Sequence, residues 1–267
     1  MDNKHFFYKK GSQYFDHNNN HIKNPSIISQ LKNIYVPPAY KSVKLYLGDK
    51  LRAIGIDKAN RKQYLYSSNW TKKTSKIKYC NLFQTCLFKK KLDKQLFFDI
   101  NSSDKHNLKN KLIAIAIMLI DNAHFRIGNK KNEKLYNTYG VSTLRKNHII
   151  PHSNNLIIKF IGKKHILNKS TINNPLLKKQ LLNLYSQTKK NNYIFHNSNI
   201  SITPSEINNY LHKFNMTTKH LRTYNANLLF LTYIKNNINK YSSSKNNPFS
   251  SINGRKKYLK QSLLYVA

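Results

Sequence analysis

The sequence predicts an α+β chain: a small β-rich front, then a mostly α-helical remainder that carries a three-stranded sheet. The hydrophobic period carries that expectation. Between Lys41 and Tyr66 apolar and polar residues alternate, whereas from Ile77 onward apolar residues recur every three or four positions. The length of 267 residues allows one large domain or two, and the change of period puts the boundary near residues 70–78.

Residues 1–32 are polar and rich in asparagine, including Asn18-Asn19-Asn20, and read as a mobile N-terminal arm or an irregular lead-in. Pro37-Pro38 punctuates the chain before the β-rich domain, expected over residues 33–75. Val43, Leu45 and Leu47 alternate with polar residues, and residues 51–56 and 63–66 form two further short runs. Turn clusters at Gly48-Asp49-Lys50 and Asp57-Lys58-Ala59-Asn60 separate them, which predicts an antiparallel sheet.

The second domain is expected over residues 76–267. A helix covers residues 77–98, and Asn101, Ser102, Ser103 and Asp104 offer caps for another ending near Asn122, its segment 112–120 fully buried. Residues 141–144, 148–150 and 156–161 read as three strands joined by tight turns. Helices follow at 174–187, after the capping box Thr203-Pro204-Ser205-Glu206, and from Thr217 or Thr218 to Ile234. The Ser/Asn/Lys-rich stretch 236–254 reads as a linker, and a last amphipathic helix starts near Arg255 with Leu259, Leu263 and Val266 on one face.

Charge narrows the function. Lys and Arg number 47 against 10 Asp and Glu, a formal net charge of +37. Self-repulsion on that scale opposes compaction unless a polyanion is the usual partner, and lysines that displace condensed counterions from nucleic acid bind it with steep salt dependence. An enzyme acting on acidic substrates is a poor fit. So is a membrane protein, because the apolar run 112–120 is well short of the ~20 residues that span a bilayer. The N-terminus shows no signal-peptide core, and Cys80 and Cys86 form no disulfide framework or zinc module. An intracellular, reducing compartment is expected.

Arginine occurs only at positions 52, 61, 126, 145, 222 and 255, in a chain whose Lys, Asn and Ile are what AT-rich coding supplies by default. An arginine retained against that bias is the residue that two-donor phosphate recognition requires. No Gly-rich phosphate loop, G-x-S-x-G or H-E-x-x-H is present, and the acidic residues are spread singly, which leaves little for a two-metal site. Three cations stand out by context: Arg126 where a buried helix meets a Gly turn, Lys163 after an apolar strand, and Arg222 in the first turns of a capped helix. Each alone reads as a structural ion pair or a solvated charge. Together, with so few acids to pair them, they imply a supplied anion such as phosphate.

Phe125-Arg126-Ile127-Gly128 followed by the segment from Tyr139 to Ile149 resembles the first signature of type IB DNA topoisomerases of the poxvirus and bacterial kind. Phe160-Ile161-Gly162-Lys163-Lys164 is similar to their lysine hairpin, and Lys219-His220-Leu221-Arg222-Thr223-Tyr224-Asn225-Ala226 to their second arginine motif. In the front half Val36-Pro37-Pro38-Ala39-Tyr40 and Arg61-Lys62-Gln63-Tyr64-Leu65-Tyr66 agree too, so the resemblance runs collinearly over residues 33–267. It implies the shared core of tyrosine recombinases and these topoisomerases. The implied reaction relaxes supercoils by transesterification without metal, ATP or other cofactor, through a 3′-phosphotyrosyl link. Double-stranded DNA would be clamped by a monomer, away from any membrane, in a DNA-associated location (bacterial cytoplasm or a viral or host compartment).

The resemblance also implies the roles. Arg126 and Arg222 hold the non-bridging oxygens, Lys163 is the general acid for the leaving 5′ oxygen, and Gln63, Tyr64 and Tyr66 reach bases in the major groove. Lys130, Lys131 and Tyr136, next after the Arg126 turn, are expected on the DNA, although packing on the sheet is as good a reading for Tyr136. The family's histidine donor and tyrosine nucleophile would fall beyond Ala267, and Tyr265 aligns within the helix before them. The chain as written is therefore expected to bind DNA and hold a phosphate pocket without cleaving. Alternatives are a tyrosine recombinase, disfavoured because Lys219 stands where recombinases usually carry histidine, and a non-catalytic DNA-binding protein. His220 and Trp70 read as packing residues.

Overall fold

The computed structural model describes residues 5–104, 107–153, 155–197, 200–242, 248 and 251–266. The chain divides into two compact units, Met1–Cys80 and Asn81–Ala267, with the division inside a single long helix.

The first unit is a five-stranded antiparallel sheet in the order β2-β1-β3-β4-β5, built from β1 (Phe7–Lys10), β2 (Gln13–Asp16), β3 (Lys41–Leu45), β4 (Leu51–Ile56) and β5 (Lys62–Tyr66). Helix α1 (Pro25–Lys32) packs on it, its first N–H groups capped by the Asn24 side chain. The N-terminal arm expected over 1–32 is thus corrected from residue 7 on to two strands and a helix. Tyr14 and Leu31 are buried with Leu45 and Ala53, and Phe7, Ile22, Ile27 and Ile28 pack against them. Asparagines between these apolar residues broke the period without removing the core. The turn between β4 and β5 is organised by Asp57, which accepts from the backbone N–H groups of Ala59 and Arg61 and from the side chains of Arg61 and Gln63. Those bonds, the Arg61 side chain first, hold its carboxyl well below the usual carboxylate range.

In the second unit the long helix α2 (Ser68–Asn101) contributes Leu92, Leu96 and Ile100 to a core centred on α3 (Leu108–Ala123). Eight of the nine residues in 112–120 are buried, as a continuous apolar run dictates. Around it stand α4 (Lys130–Tyr136), the antiparallel sheet of β6 (Ile149–Pro151), β7 (Leu156–Ile161) and β8 (Leu167–Ile172), and α5 (Pro175–Gln187). The hairpin of β9 (His196–Asn197) and β10 (Ile200–Ser201) and helices α6 (Pro204–His212), α7 (Thr218–Ser242) and α8 (Ile252–Val266) complete the unit. The Thr203–Glu206 capping box forms as expected at the start of α6.

The expected strand at 141–144 is instead a 3₁₀ turn at Val141–Thr143, and the third strand of the sheet is β8. Residues 141–144 are buried on every side, so their pattern carries no alternation, while β8 is polar with only Ile172 buried and reads as loop. The expected linker at 236–254 is partly helical, since α7 continues to Ser242 and α8 begins at Ile252; apart from Pro248 and Ser251, the stretch between lies outside the described residues.

Two polar groups sit inside this unit. Asp99 is buried and accepts from Tyr210 Oη at 2.6 Å, with Gln95 and Asn107 at 3.1 and 3.3 Å. Burial and the neighbouring carboxylate push the Tyr210 phenol far up. His148 packs edge-on to Tyr139 and accepts the Arg145 N–H at Nδ1. Burial first, then the Arg145 charge, pulls its pKa down to about 4.

Replacing Tyr210 by Phe leaves a buried carboxylate short of its best donor, and the expected loss is about 1.5–3 kcal/mol in denaturant unfolding. His148 binds its proton less readily folded than unfolded. The stability it contributes is therefore present above the unfolded value of about 6.5 and is lost as pH falls towards 4. Unfolding midpoints across that window should decline less steeply in His148→Asn, whose amide oxygen can still accept the Arg145 N–H.

Candidate functional site

The site begins where α3 stops. His124 takes a left-handed conformation (φ 57°) and turns the chain. Phe125 enters the core edge-on to Phe160, 4.8 Å between ring centroids, and Arg126 is left exposed on the other side. Two residues later Gly128 (φ 76°) crosses Gly140 so closely that a Cβ on Gly128 would lie 2.8 Å from the Gly140 Cα. A Cβ on Gly140 would lie 2.6 Å from the Arg126 carbonyl. The crossing lets Val141 and Ser142 donate to the carbonyls of Arg126 and Ile127 at 2.9 and 2.7 Å, while Tyr139 donates to Ile161 at the end of β7. The backbone of Arg126 is thereby fixed to the strand that delivers Lys163.

Lys163 opens the β7–β8 turn, which closes through Gly162 N–H to the Ile166 carbonyl and passes through left-handed Lys164 and His165. Its side chain is exposed. Arg222 arrives from the first turns of α7, beside the fully buried Leu221. Its Nε donates to the His124 carbonyl at 2.7 Å, two residues before Arg126. Burial first, then the charge of Arg126, lowers the pKa of Arg222. The two guanidiniums therefore feel each other across the same turn.

Neither arginine forms an ion pair with a carboxylate among the described residues, although other cations do. Arg145 holds Glu133, Arg61 holds Asp57, Lys109 holds Glu206, and Lys89 bridges Asp93 and Asp121. Arg145 is the structural case: its Nε and one terminal nitrogen both reach Glu133, which also accepts from Tyr193 Oη. Among the described residues no group of three or more His, Cys, Asp or Glu side chains gathers where a metal could sit.

The expected DNA-contacting residues fall on two elements. Tyr64 and Tyr66 are about half exposed on one face of β5. Gln63 faces the opposite side, its amide on Asp57 at 2.8 Å, so the strand separates it from the two tyrosines. Lys130, Lys131 and Tyr136 are exposed on α4, with the Lys130 ammonium 5.5 Å from the Tyr193 ring centroid. His220 lies 3.3 Å from the Asn81 amide, the packing role expected of it. The Tyr265 ring packs on Tyr233, 4.9 Å between centroids. Sequence reasoning passed over Asp121 and gave Asn225, inside the second arginine motif, no role of its own; the two bond to each other at the end of α3. The available signal was spacing: Asn225 follows Arg222 by three residues on one helix, hence on one face.

A family model described as eukaryotic DNA topoisomerase I, catalytic core, matches residues 67–266. The DNA topoisomerase 1B of Acanthamoeba polyphaga mimivirus is 27% identical over 234 residues, covering 82% of this chain and 67% of the relative. The DNA topoisomerase 1 of Rabbit fibroma virus is 26% identical over 237 residues, with 85% and 73% covered. The DNA topoisomerase 1B of Vaccinia virus (strain Copenhagen) is 24% identical over 254 residues, with 88% and 76% covered.

Because backbone, not a flexible side-chain tip, meets the added carbon, Gly140→Ala should destabilise the fold by about 2 kcal/mol or more, measured by urea unfolding.

Proposed function

The chain belongs to the type IB DNA topoisomerase I family, and on that premise we propose that Arg126, Lys163 and Arg222 are its phosphodiester-handling residues. The observation that carries this reading is that Arg222 is bonded to the carbonyl two residues before Arg126, and neither arginine is paired with a carboxylate among the described residues. Two neighbouring cations that lack an acid are reconciled when an anion joins them. A phosphodiester supplies that anion, and the negative charge on its non-bridging oxygens grows as a fifth ligand joins phosphorus, where fixed donors stabilise it most.

The proposed step is balanced. A tyrosine oxygen bonds to phosphorus as its own proton passes to solvent water, the bond to the 5′ oxygen breaks, and the Lys163 ammonium gives that oxygen a proton. Religation reverses each transfer. Tyr265 is not assigned as the nucleophile. The substrate is double-stranded DNA, bound by a monomer, with no metal or cofactor taking part. Tyr64 and Tyr66 touch bases and α4 tracks phosphates through Lys130, Lys131 and Tyr136; Gln63 joins them if it leaves Asp57.

The intact protein should relax positive and negative supercoils in EDTA without ATP; an absolute need for added magnesium would overturn the reading. Binding should weaken about 10³- to 10⁵-fold between 50 and 200 mM salt if six to ten phosphates are neutralised. Arg222→Lys should slow single-turnover cleavage by about 10²-fold or more, since an ammonium lacks the planar two-donor fork. Lys163→Ala should slow it too, and a substrate whose 5′ leaving group needs no proton should restore most of the rate to that variant.

A further inference from the structure

Arg222 is anchored through its Nε on the His124 carbonyl. A guanidinium held at Nε has its plane set while both terminal nitrogens stay available, which is the arrangement a two-donor grip on phosphate requires. The quality of that grip therefore depends on how firmly the carbonyl is held. His124 is left-handed without being glycine, a conformation that persists only when its surroundings enforce it.

The surroundings here are few and specific. Asn225, buried on the α3 side of α7, uses one amide nitrogen to reach the Asp121 carbonyl and the Asp121 Oδ1, each at 2.9 Å, and approaches His124 Nδ1 at 3.4 Å. All three groups belong to residues 121–124, the stretch that ends α3 and makes the turn. The other Asp121 oxygen is held by Lys89 Nζ at 3.0 Å, from α2. Lys89 in turn bonds Asp93 at 2.6 Å, so its charge remains satisfied on α2 whatever Asp121 does. Three helices thus meet on the last turn of α3, and the group they fix there carries Arg222.

We propose that Asn225 and Asp121, backed by Lys89, are positioning residues that lock the His124 carbonyl and so aim the Arg222 guanidinium at the scissile phosphate. The inference rests on the function proposed above. It goes beyond that function by assigning a role to three residues that touch no DNA.

The test uses the intact protein and four readouts: single-turnover cleavage, DNA affinity, thermal unfolding, and exchange of the Arg222 Nε–H with solvent followed by nuclear magnetic resonance. Asn225→Ala should slow cleavage between about 10- and 100-fold, the effect of a misaimed group, with DNA affinity unchanged and the Arg222 Nε–H exchanging faster. In an Arg222→Ala background the same substitution should add nothing, because its effect passes through the arginine. Asp121→Ala should reproduce the faster exchange and serves in place of Asn225→Ala if that variant does not fold. An additive loss in the Arg222→Ala background, a loss confined to thermal stability, or unchanged Arg222 exchange would each overturn the proposal. If the wild-type protein cleaves no DNA, the proposed function fails by itself, and the exchange measurement still decides whether Asn225 and Asp121 hold Arg222.

Discussion

The crossing of Gly128 over Gly140 is the contact on which the second unit's site depends. Two backbone segments approach until a Cβ on either would strike main-chain atoms of the other, and only then can Val141 and Ser142 bond the carbonyls of Arg126 and Ile127. From that junction Tyr139 reaches the end of β7, and Arg222 reaches the other side of the same turn through His124. Three residues nearly a hundred positions apart in sequence are thus referred to one piece of rigid backbone. Main-chain hydrogen bonds carry this register, which suits a site whose own side chains must stay available for a substrate.

Charge distribution follows a second constraint. With 10 acids against 47 bases, where a carboxylate stands decides which cation becomes structural. Glu133 captures Arg145, with Tyr193 added, and the pair joins α4 to the segment before β6. Asp121 is engaged by Lys89 and Asn225, and Asp99 accepts from Tyr210. Arg126 and Arg222 are among the arginines with no ion-paired acid among the described residues, and the charge of Arg126 helps lower the pKa of Arg222.

Much of this was legible in the sequence because the relevant signals are local. The buried helix α3 and the capping box of α6 are set by neighbours three or four residues apart, and each stands where its pattern puts it. What was not legible depends on partners far along the chain. Strand β8 is polar because one face meets solvent, and its pairing with β7 supplies the order that its composition lacks. The first strands hide among asparagines because five or six apolar side chains suffice when a sheet shares them. Gln63 reads as a neighbour of Tyr64, but the pleat sends it to Asp57 on the other face. The arginines stood out by type and context, while Asp121 and Asn225 are ordinary residues whose meaning lies only in what they touch.

The proximity of Arg126 and Arg222 has a thermodynamic consequence for the protein at rest. Like charges that folding brings near each other repel, and that repulsion opposes the fold until a negative charge joins them. Any occupant is then rewarded in proportion to the negative charge it places there. In the proposed reaction a diester carries one such charge and the five-coordinate species nearly two, so the tension built in at folding is released most fully at the summit of the barrier. The same reasoning makes the occupied protein the better folded one, and DNA would act towards this chain partly as a structural ligand.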